Sequence, residues 1–341
     1  MEREPVLVDL ALQGGGSHGA FTWGVLDRLL DERWLEIEGV SGTSAGAMNS
    51  AVLADGYAAG GREGAKLALE SYWTHVSEAA RFSPFKRSPF DKMLGRWSMD
   101  TAPGFLMMDF MTRMFSPYQY NPLGGNALAP ILEKQIDFDR LRTSPIKVFI
   151  TATNVRTGRP RVFRNAEITP DVLMASACLP TLFQAVEIDG EAYWDGGYSG
   201  NPTLAPLVSE RKSDDTILVP INPLERPGTP KTPGEILNRL NEVSFNSVAV
   251  KELYMMALLQ RHVHELSGDT EACNWARMRV HVVRNPIMNE LGFSSKLNAE
   301  WDFLTWLRDE GRKAAEVFLA EHGHDIGKAS TVNFDQLMAE L

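Results

Sequence analysis

Apolar residues follow two rhythms along this chain, short unbroken runs and helical spacing, and the two alternate. Val6–Leu12 (VLVDLAL) is rich in β-branched residues and leucine, bounded by Pro5 and a glycine cluster, and predicts a buried strand. Residues 18–30 then carry apolar side chains at helical spacing. Residues 37–41 predict a short second strand ending in SGTSAG, and residues 45–59 a second helix. Strand, turn, helix, strand, turn, helix is the order that builds a parallel sheet.

The pattern continues less regularly. Residues 146–153 read as a strand, with 161–163 placed to pair nearby. Thr169-Pro170-Asp171 opens a helix, with threonine as cap and proline in the first turn, and that helix is predicted to run to about Leu179, before Pro180. Residues 185–195 read as strand, an Asp189-Gly190 turn and strand, followed by Gly196-Gly197. Residues 216–221 and 278–283 are two more candidate strands. Between them Thr232-Pro233-Gly234-Glu235 has the form of a capping box. The helix it opens is predicted to reach about Leu266, with Ile236, Leu240, Val243, Val250 and Leu253 on one stripe. No linker divides the chain, so residues 1–341 are expected to form one domain, mainly helical over 233–341.

Composition narrows the function classes. A chain of 341 residues that is 44% hydrophobic can bury a large core. A net charge of −10 argues against general nucleic-acid binding. Two cysteines, Cys178 and Cys273, give no disulfide framework and point to a reducing compartment. The first residues lack the apolar core of a signal peptide, and no apolar run reaches the ~18 residues of a membrane span. The expectation is a soluble cytoplasmic protein.

The candidate chemistry begins in LALQGGGSHGAF. Gly14, Gly16 and Gly19 satisfy G-x-G-x-x-G between strand and helix, the pattern of a dinucleotide site. That reading needs an acidic residue at the end of the second strand, ~20 residues on. Here the strand ends in Ser41-Gly42-Thr43-Ser44, and Glu36 and Glu38 lie at its start. The second turn is Gly42-Thr43-Ser44-Ala45-Gly46, which is G-x-S-x-G, the form of a nucleophile elbow. A Ser/Thr helix cap beside a glycine turn would look the same in isolation. In a parallel sheet, however, turns after neighbouring strands share one edge, so the glycine loop can approach Ser44. Its backbone N–H groups would then serve an oxyanion better than a phosphate.

A serine nucleophile needs a base, and the seven histidines are poor candidates. His262 and His264 lie two apart on a predicted helix and face different ways; His322 and His324 fall in a polar stretch; His281 alternates within a strand. Asp195 stands at a strand end before Gly196-Gly197, where a carboxylate could reach a serine directly in a water-poor site. An ordinary Asp-Gly turn has the same spelling, as Asp189-Gly190 shows.

Together these residues resemble the patatin-like phospholipases, whose pattern is a glycine-rich loop, G-x-S-x-G and a late D-G-G or D-G-A. The chain carries Gly14-Gly15-Gly16-Ser17-His18-Gly19, Gly42-Thr43-Ser44-Ala45-Gly46 and Asp195-Gly196-Gly197 in that order. The stretch ASACLPTLF, residues 175–183, is similar to the family's helix-and-proline approach to the aspartate. The resemblance implies a three-layer α/β/α fold with a mainly parallel sheet and a helical cap. It further implies a Ser44–Asp195 dyad without a catalytic histidine, an oxyanion hole in residues 14–19, a lipid ester as substrate, and no metal or organic cofactor. His18 stands where the family usually has arginine or lysine.

One segment suggests where lipid would meet the protein. Residues 81–97, RFSPFKRSPFDKMLGRW, hold five basic residues against one acidic one, interleaved with aromatics. The residues that follow, up to 120, are rich in methionine and aromatics. An interfacial lid with an acyl groove and a cap subdomain with its own apolar core both fit this composition. The alternatives for function are an esterase for another hydrophobic ester, such as an intracellular polyester, and a nucleotide-binding protein using the glycine loop. Headgroup, chain length and oligomeric state are not encoded in any motif.

Overall fold

The fold is described from a computed structural model, over residues 3–210, 212–262 and 270–339. Its strands are β1 (Val6–Leu12), β2 (Leu35–Gly42), β3 (Lys147–Asn154), β4 (Pro160–Arg164), β5 (Val186–Ile188), β6 (Glu191–Asp195), β7 (Asp215–Val219) and β8 (Arg279–Val282). They form one sheet in the order β5-β6-β3-β2-β1-β7-β8, with β4 paired to β3. The contiguous β3-β2-β1-β7-β8 block is wholly parallel, while β4, β5 and β6 join antiparallel.

Alternation along the central strands divides the apolar side chains between two cores. Leu10, Leu12, Val148, Ile150, Ile217 and Val219 face one, packed by the helices Gly19–Leu29, Ala45–Ala79, Pro170–Ser176 and Trp301–His322. Ala11, Phe149 and Leu218 face the other, covered by Ala205–Ser209, Pro233–Arg261 and Glu271–Arg277. A strand buried on both faces reads as a continuous apolar run, which is why β1 was visible in the sequence. The result is the expected three-layer α/β/α architecture.

The predicted helix at 45–59 continues to Ala79 across a break at Gly60 and Gly61, whose dihedrals leave the helical region. The chain turns there and resumes its helix because Ala65, Leu69, Tyr72 and Trp73 have a core to reach. The helix opened by Thr169 is shorter than expected, Pro170–Ser176, and Thr169 does cap it. The capping box of Thr232 and Glu235 is present. The apolar stripe expected on that helix coincides with its buried face only at Leu253, however. Ile236, Leu240 and Val243 are exposed, and burial falls on Glu242, Phe245, Asn246, Ala249, Leu253, Met256 and Ala257. Polar Glu242 and Asn246 are inside because they belong to the network around the site. The helix is described as far as Arg261, so its expected end near Leu266, and His264, lie outside the described residues.

Helices Gly19–Leu29 and Trp301–His322 cross closely through a reciprocal pair of glycines. A Cβ on Gly24 would collide with the Arg308 carbonyl, and one on Gly311 with the Phe21 carbonyl. Backbone obstructs both, so no side chain can move aside. Gly24→Ala is expected to destabilise the protein by about 3 kcal/mol through forced separation of the helices. Denaturant unfolding would measure it, and a change within experimental error would mean that the crossing is loose.

Candidate active site

Strand β2 delivers Ser44 to the carboxyl edge of the sheet in a conformation that L-residues avoid. Its φ is 54° and ψ −120°; among the described residues only Asp189, in the β5–β6 turn, is the other non-glycine residue with positive φ. Such strain persists only where the surroundings fix it. Here Ser44 N–H donates to Ser176 Oγ (2.9 Å), and Ser176 Oγ–H donates to the Thr151 carbonyl (2.7 Å). The N–H of Gly46 donates to Thr43 O (2.8 Å), closing the turn. Gly42 and Gly46 are required because a Cβ on either would run into neighbouring backbone, the Gly46 and Leu12 carbonyls respectively.

The register of β3 explains how Asp195 meets this turn. Strand β2 pairs with Lys147 to Ile150 and β6 with Ala152 to Asn154, while β4 occupies the opposite edge of β3. Strands β2 and β6 therefore share one lane and run toward each other, Gly42 opposite Ile150 and Asp195 opposite Ala152. Their ends converge on the same gap. Gly196 is compressed there, since a Cβ would meet the Thr151 carbonyl and Thr43 Cγ2. Antiparallel β6 thus puts its carboxyl-terminal end where the parallel strands also end.

Asp195 is 1% exposed and Ser44 8%. Asp195 Oδ1 accepts from the Gly197 N–H (2.7 Å), whereas Oδ2 is buried with no partner in hydrogen-bonding geometry. Burial pushes the Asp195 carboxyl up to about 7; the Gly197 N–H, the Ser44 hydroxyl and the charge of Lys296 pull the other way. A carboxyl tuned to this range can change protonation state near neutral pH.

The glycine loop lies against the serine. A Cβ on Gly14 would come within 2.5 Å of Thr43 O and 2.6 Å of Ser44 Cβ. The loop is held from below by side-chain amides: Gly14 N–H donates to Asn201 Oδ1 (2.6 Å), and Asn222 Nδ2 donates to Gly14 O (2.7 Å). Gln13 accepts from the N–H groups of Ile221 and Asn222 and donates to Asn246. The first bonded turn then begins, with His18 N–H to Gly15 O and Gly19 N–H to Gly16 O. The N–H groups of Gly15, Gly16 and Ser17 precede that turn, as the first donors of any helix do.

A sequence model of the family described as patatin-like phospholipase matches residues 10–208. The chain belongs to that family. Among solved structures, the crystal structure of VipD from Legionella pneumophila is similar over 91% of this chain and 67% of that one, with 15% identity and a TM-score of 0.36. No curated protein sequence matched. Membership in the patatin-like phospholipases supports lipid acyl hydrolysis as the general chemistry of the chain.

The remaining candidates of this patatin-like site fall into place around it. His18 is buried with Nε2 against Ser295 Oγ (2.8 Å), and burial, helped by Lys296 and Arg226, drives its pKa well below the usual imidazole range. A neutral imidazole thus occupies the position where the family usually carries a cation. His281 Nε2 meets Asp215 Oδ1 (2.9 Å), as a structural residue of β8 would. Cys178 lies beside Asp195, whose N–H donates to its carbonyl (2.8 Å); burial pushes the thiol up to about 12, so it is no rival nucleophile at neutral pH. Among the described residues, no three His, Cys, Asp or Glu side chains cluster as a metal site, and no helix is long and apolar enough to cross a membrane. Ser176, Asn201, Asn222 and Lys296 were not singled out by the sequence. Each supports the site from a distant segment; Ser176 lay within the stretch 175–183 already noticed, and Lys296 within Ser295-Lys296-Leu297-Asn298, which resembles the bacterial branch of the family.

Proposed function

We propose that this chain hydrolyses fatty-acyl esters of phospholipids or related lipids through a Ser44–Asp195 dyad. The observation that carries the reading is a strained, backbone-held Ser44 beside a buried carboxyl with one uncommitted oxygen. Ionised Asp195 takes the hydroxyl proton as Ser44 Oγ attacks the acyl carbon. The tetrahedral oxyanion forms against the N–H groups of Gly15, Gly16 and Ser17; those of Gly14, His18 and Gly19 already donate elsewhere. Asp195 passes its proton to the departing alkoxide, leaving an acyl-enzyme. A water then gives a proton to Asp195 and attacks the acyl carbon; the bond to Ser44 Oγ breaks as Asp195 returns that proton to Oγ, which frees the fatty acid and restores both residues.

Residues 81–120 supply the hydrophobic approach in this proposal. The Pro103–Met114 helix has no buried residue, and Phe90, Met93, Leu106, Met107, Phe110, Met114 and Phe115 are exposed. This is the composition of a lid that meets acyl chains or a lipid surface. The basic residues do not all take part. Arg87 is bonded to Glu300 and lies over the Trp97 ring, and Lys92 pairs with the same Glu300 (3.4 Å), so Arg81, Lys86 and Arg96 are the exposed cations open to an anionic headgroup.

A fluorophosphonate probe followed by peptide mapping tests the assignment. The mass increment is expected on the peptide containing Ser44, together with fatty-acid release from phosphatidylglycerol vesicles. Labelling confined to another serine would overturn the reading. Label at Ser44 with no release from any phospholipid, but turnover of another hydrophobic ester, would keep the dyad and transfer the substrate to that class.

A further inference from the structure

Behind the glycine loop sits a lysine in surroundings that rarely admit one. Lys296 is 8% exposed, and its Nζ donates to Asn222 Oδ1 at 2.6 Å. Among the described residues no carboxylate lies within ion-pair distance of it. Asn222 is the same residue whose amide nitrogen holds the Gly14 carbonyl. The Lys296 main chain is equally engaged: its carbonyl is what a Cβ on Gly16, the loop glycine at φ +59°, would strike. The neighbouring Ser295 fixes His18. The turn carrying Lys296 therefore forms the back wall of the loop, and its charge points into the site's polar network.

A buried cation without a carboxylate partner is costly unless something nearby is negative. Two anions act on Lys296, Glu242 and Asp195, while Arg226 opposes its charge and His18 is neutral. Glu242 is already bonded to Arg226 (2.7 Å), Arg239 (3.2 Å) and Asn238 (3.1 Å). Asp195 is the anion left without a cation of its own.

We propose that Lys296 is a positioning cation of the acyl-hydrolase site. Fixed by Asn222 behind residues 14–16, its charge favours the ionised form of Asp195 and the negative charge that develops on the acyl oxygen. The inference rests on the Ser44–Asp195 reading. It assigns the site's positive charge to a residue 278 positions from His18, in the part of the chain beyond the family match. Burial pulls the ammonium down to about 8, so the charge is present at neutral pH and lost in mild alkali. The rate should thus rise through about pH 7 as Asp195 ionises and fall above about pH 8 as Lys296 loses its proton.

The test is the second-order rate of fluorophosphonate labelling against pH, for the wild type, Lys296→Met and Lys296→Arg, with Ser44→Ala as control. For Lys296→Met the expectation is a fall of about tenfold or more at pH 7, less than the ~10²–10³ for a direct oxyanion donor. Its acid limb should move to higher pH and its alkaline fall should vanish. Lys296→Arg, whose charge does not titrate, should recover part of the rate and also lack the alkaline fall. Unshifted limbs in a folded Lys296→Met variant would overturn the inference. If that variant does not fold, the wild type and Lys296→Arg decide it, since a flat alkaline limb in the wild type, or an unaltered fall in Lys296→Arg, refutes it equally. Labelling that survives Ser44→Ala would instead refute the dyad itself, a separate result.

Discussion

Ser44→Ala should abolish fluorophosphonate labelling and lower fatty-acid release by about 10⁵–10⁶-fold, the scale on which a covalent catalyst loses rate with its nucleophile. The loss should fall on kcat, because the side chain removed is one atom and the residue is almost fully covered. The fold should not suffer. The backbone N–H that anchors the elbow to Ser176 remains, as do the glycines that allow its close packing. Alanine keeps the positive φ without relieving it, so thermal stability should stay near that of the wild type. A Ser44→Ala variant that still hydrolyses lipid at a tenth of the normal rate would remove the nucleophile assignment. One that fails to fold would mean that the hydroxyl has a structural duty its contacts do not reveal.

The part of this site written into short motifs was legible in the sequence, because each motif reflects a local steric demand. Gly42 and Gly46 are spelled out because backbone crowds both positions, and Gly14 because it lies on Ser44. Strand β1 was legible as an apolar run since both its faces are buried. Asp195 was visible as a candidate, yet what brings it to Ser44 is not local. It depends on β2 and β6 meeting head to head along β3, a register fixed by three segments far apart in the chain. The amide clamp that joins Gln13, Asn201 and Asn222 to Asn246 was hidden for the same reason, although Asn246 lies in a segment, Phe245-Asn246-Ser247, that resembles the family's bacterial branch. No periodicity marks a polar residue that will be buried by tertiary contacts. The misplaced first half of the stripe on the Pro233–Arg261 helix is the converse case. Ile236, Leu240 and Val243 have helical spacing, but the face toward the sheet carries Glu242 and Asn246, so apolar periodicity pointed outward.

Asp195→Asn should separate the catalytic use of the carboxyl from its cost to the fold. Asparagine has nearly the same shape and can still accept the Gly197 N–H, but it cannot take a proton from Ser44. A reduction in kcat of about 10³–10⁴ is expected, near the upper range for a general base, with little change in KM. Stability should move the other way. The folded-state pKa of Asp195 lies at about 7, above the 3.8 of an unperturbed aspartate, so between these values the native state holds a proton that the unfolded chain has released. Wild-type stability therefore declines as pH rises through this window, by up to about 4 kcal/mol for a shift of this size. Asparagine carries no charge to bury and escapes the decline. The variant should melt higher than the wild type at pH 8 and at nearly the same temperature at pH 4. Reduced activity with unchanged stability at pH 8 would mean that Asp195 is solvated well enough to stay ionised, and the water-poor site required for direct proton transfer to a carboxylate would be lost with it. A variant both inactive and more stable would locate the strain of catalysis in this one buried charge.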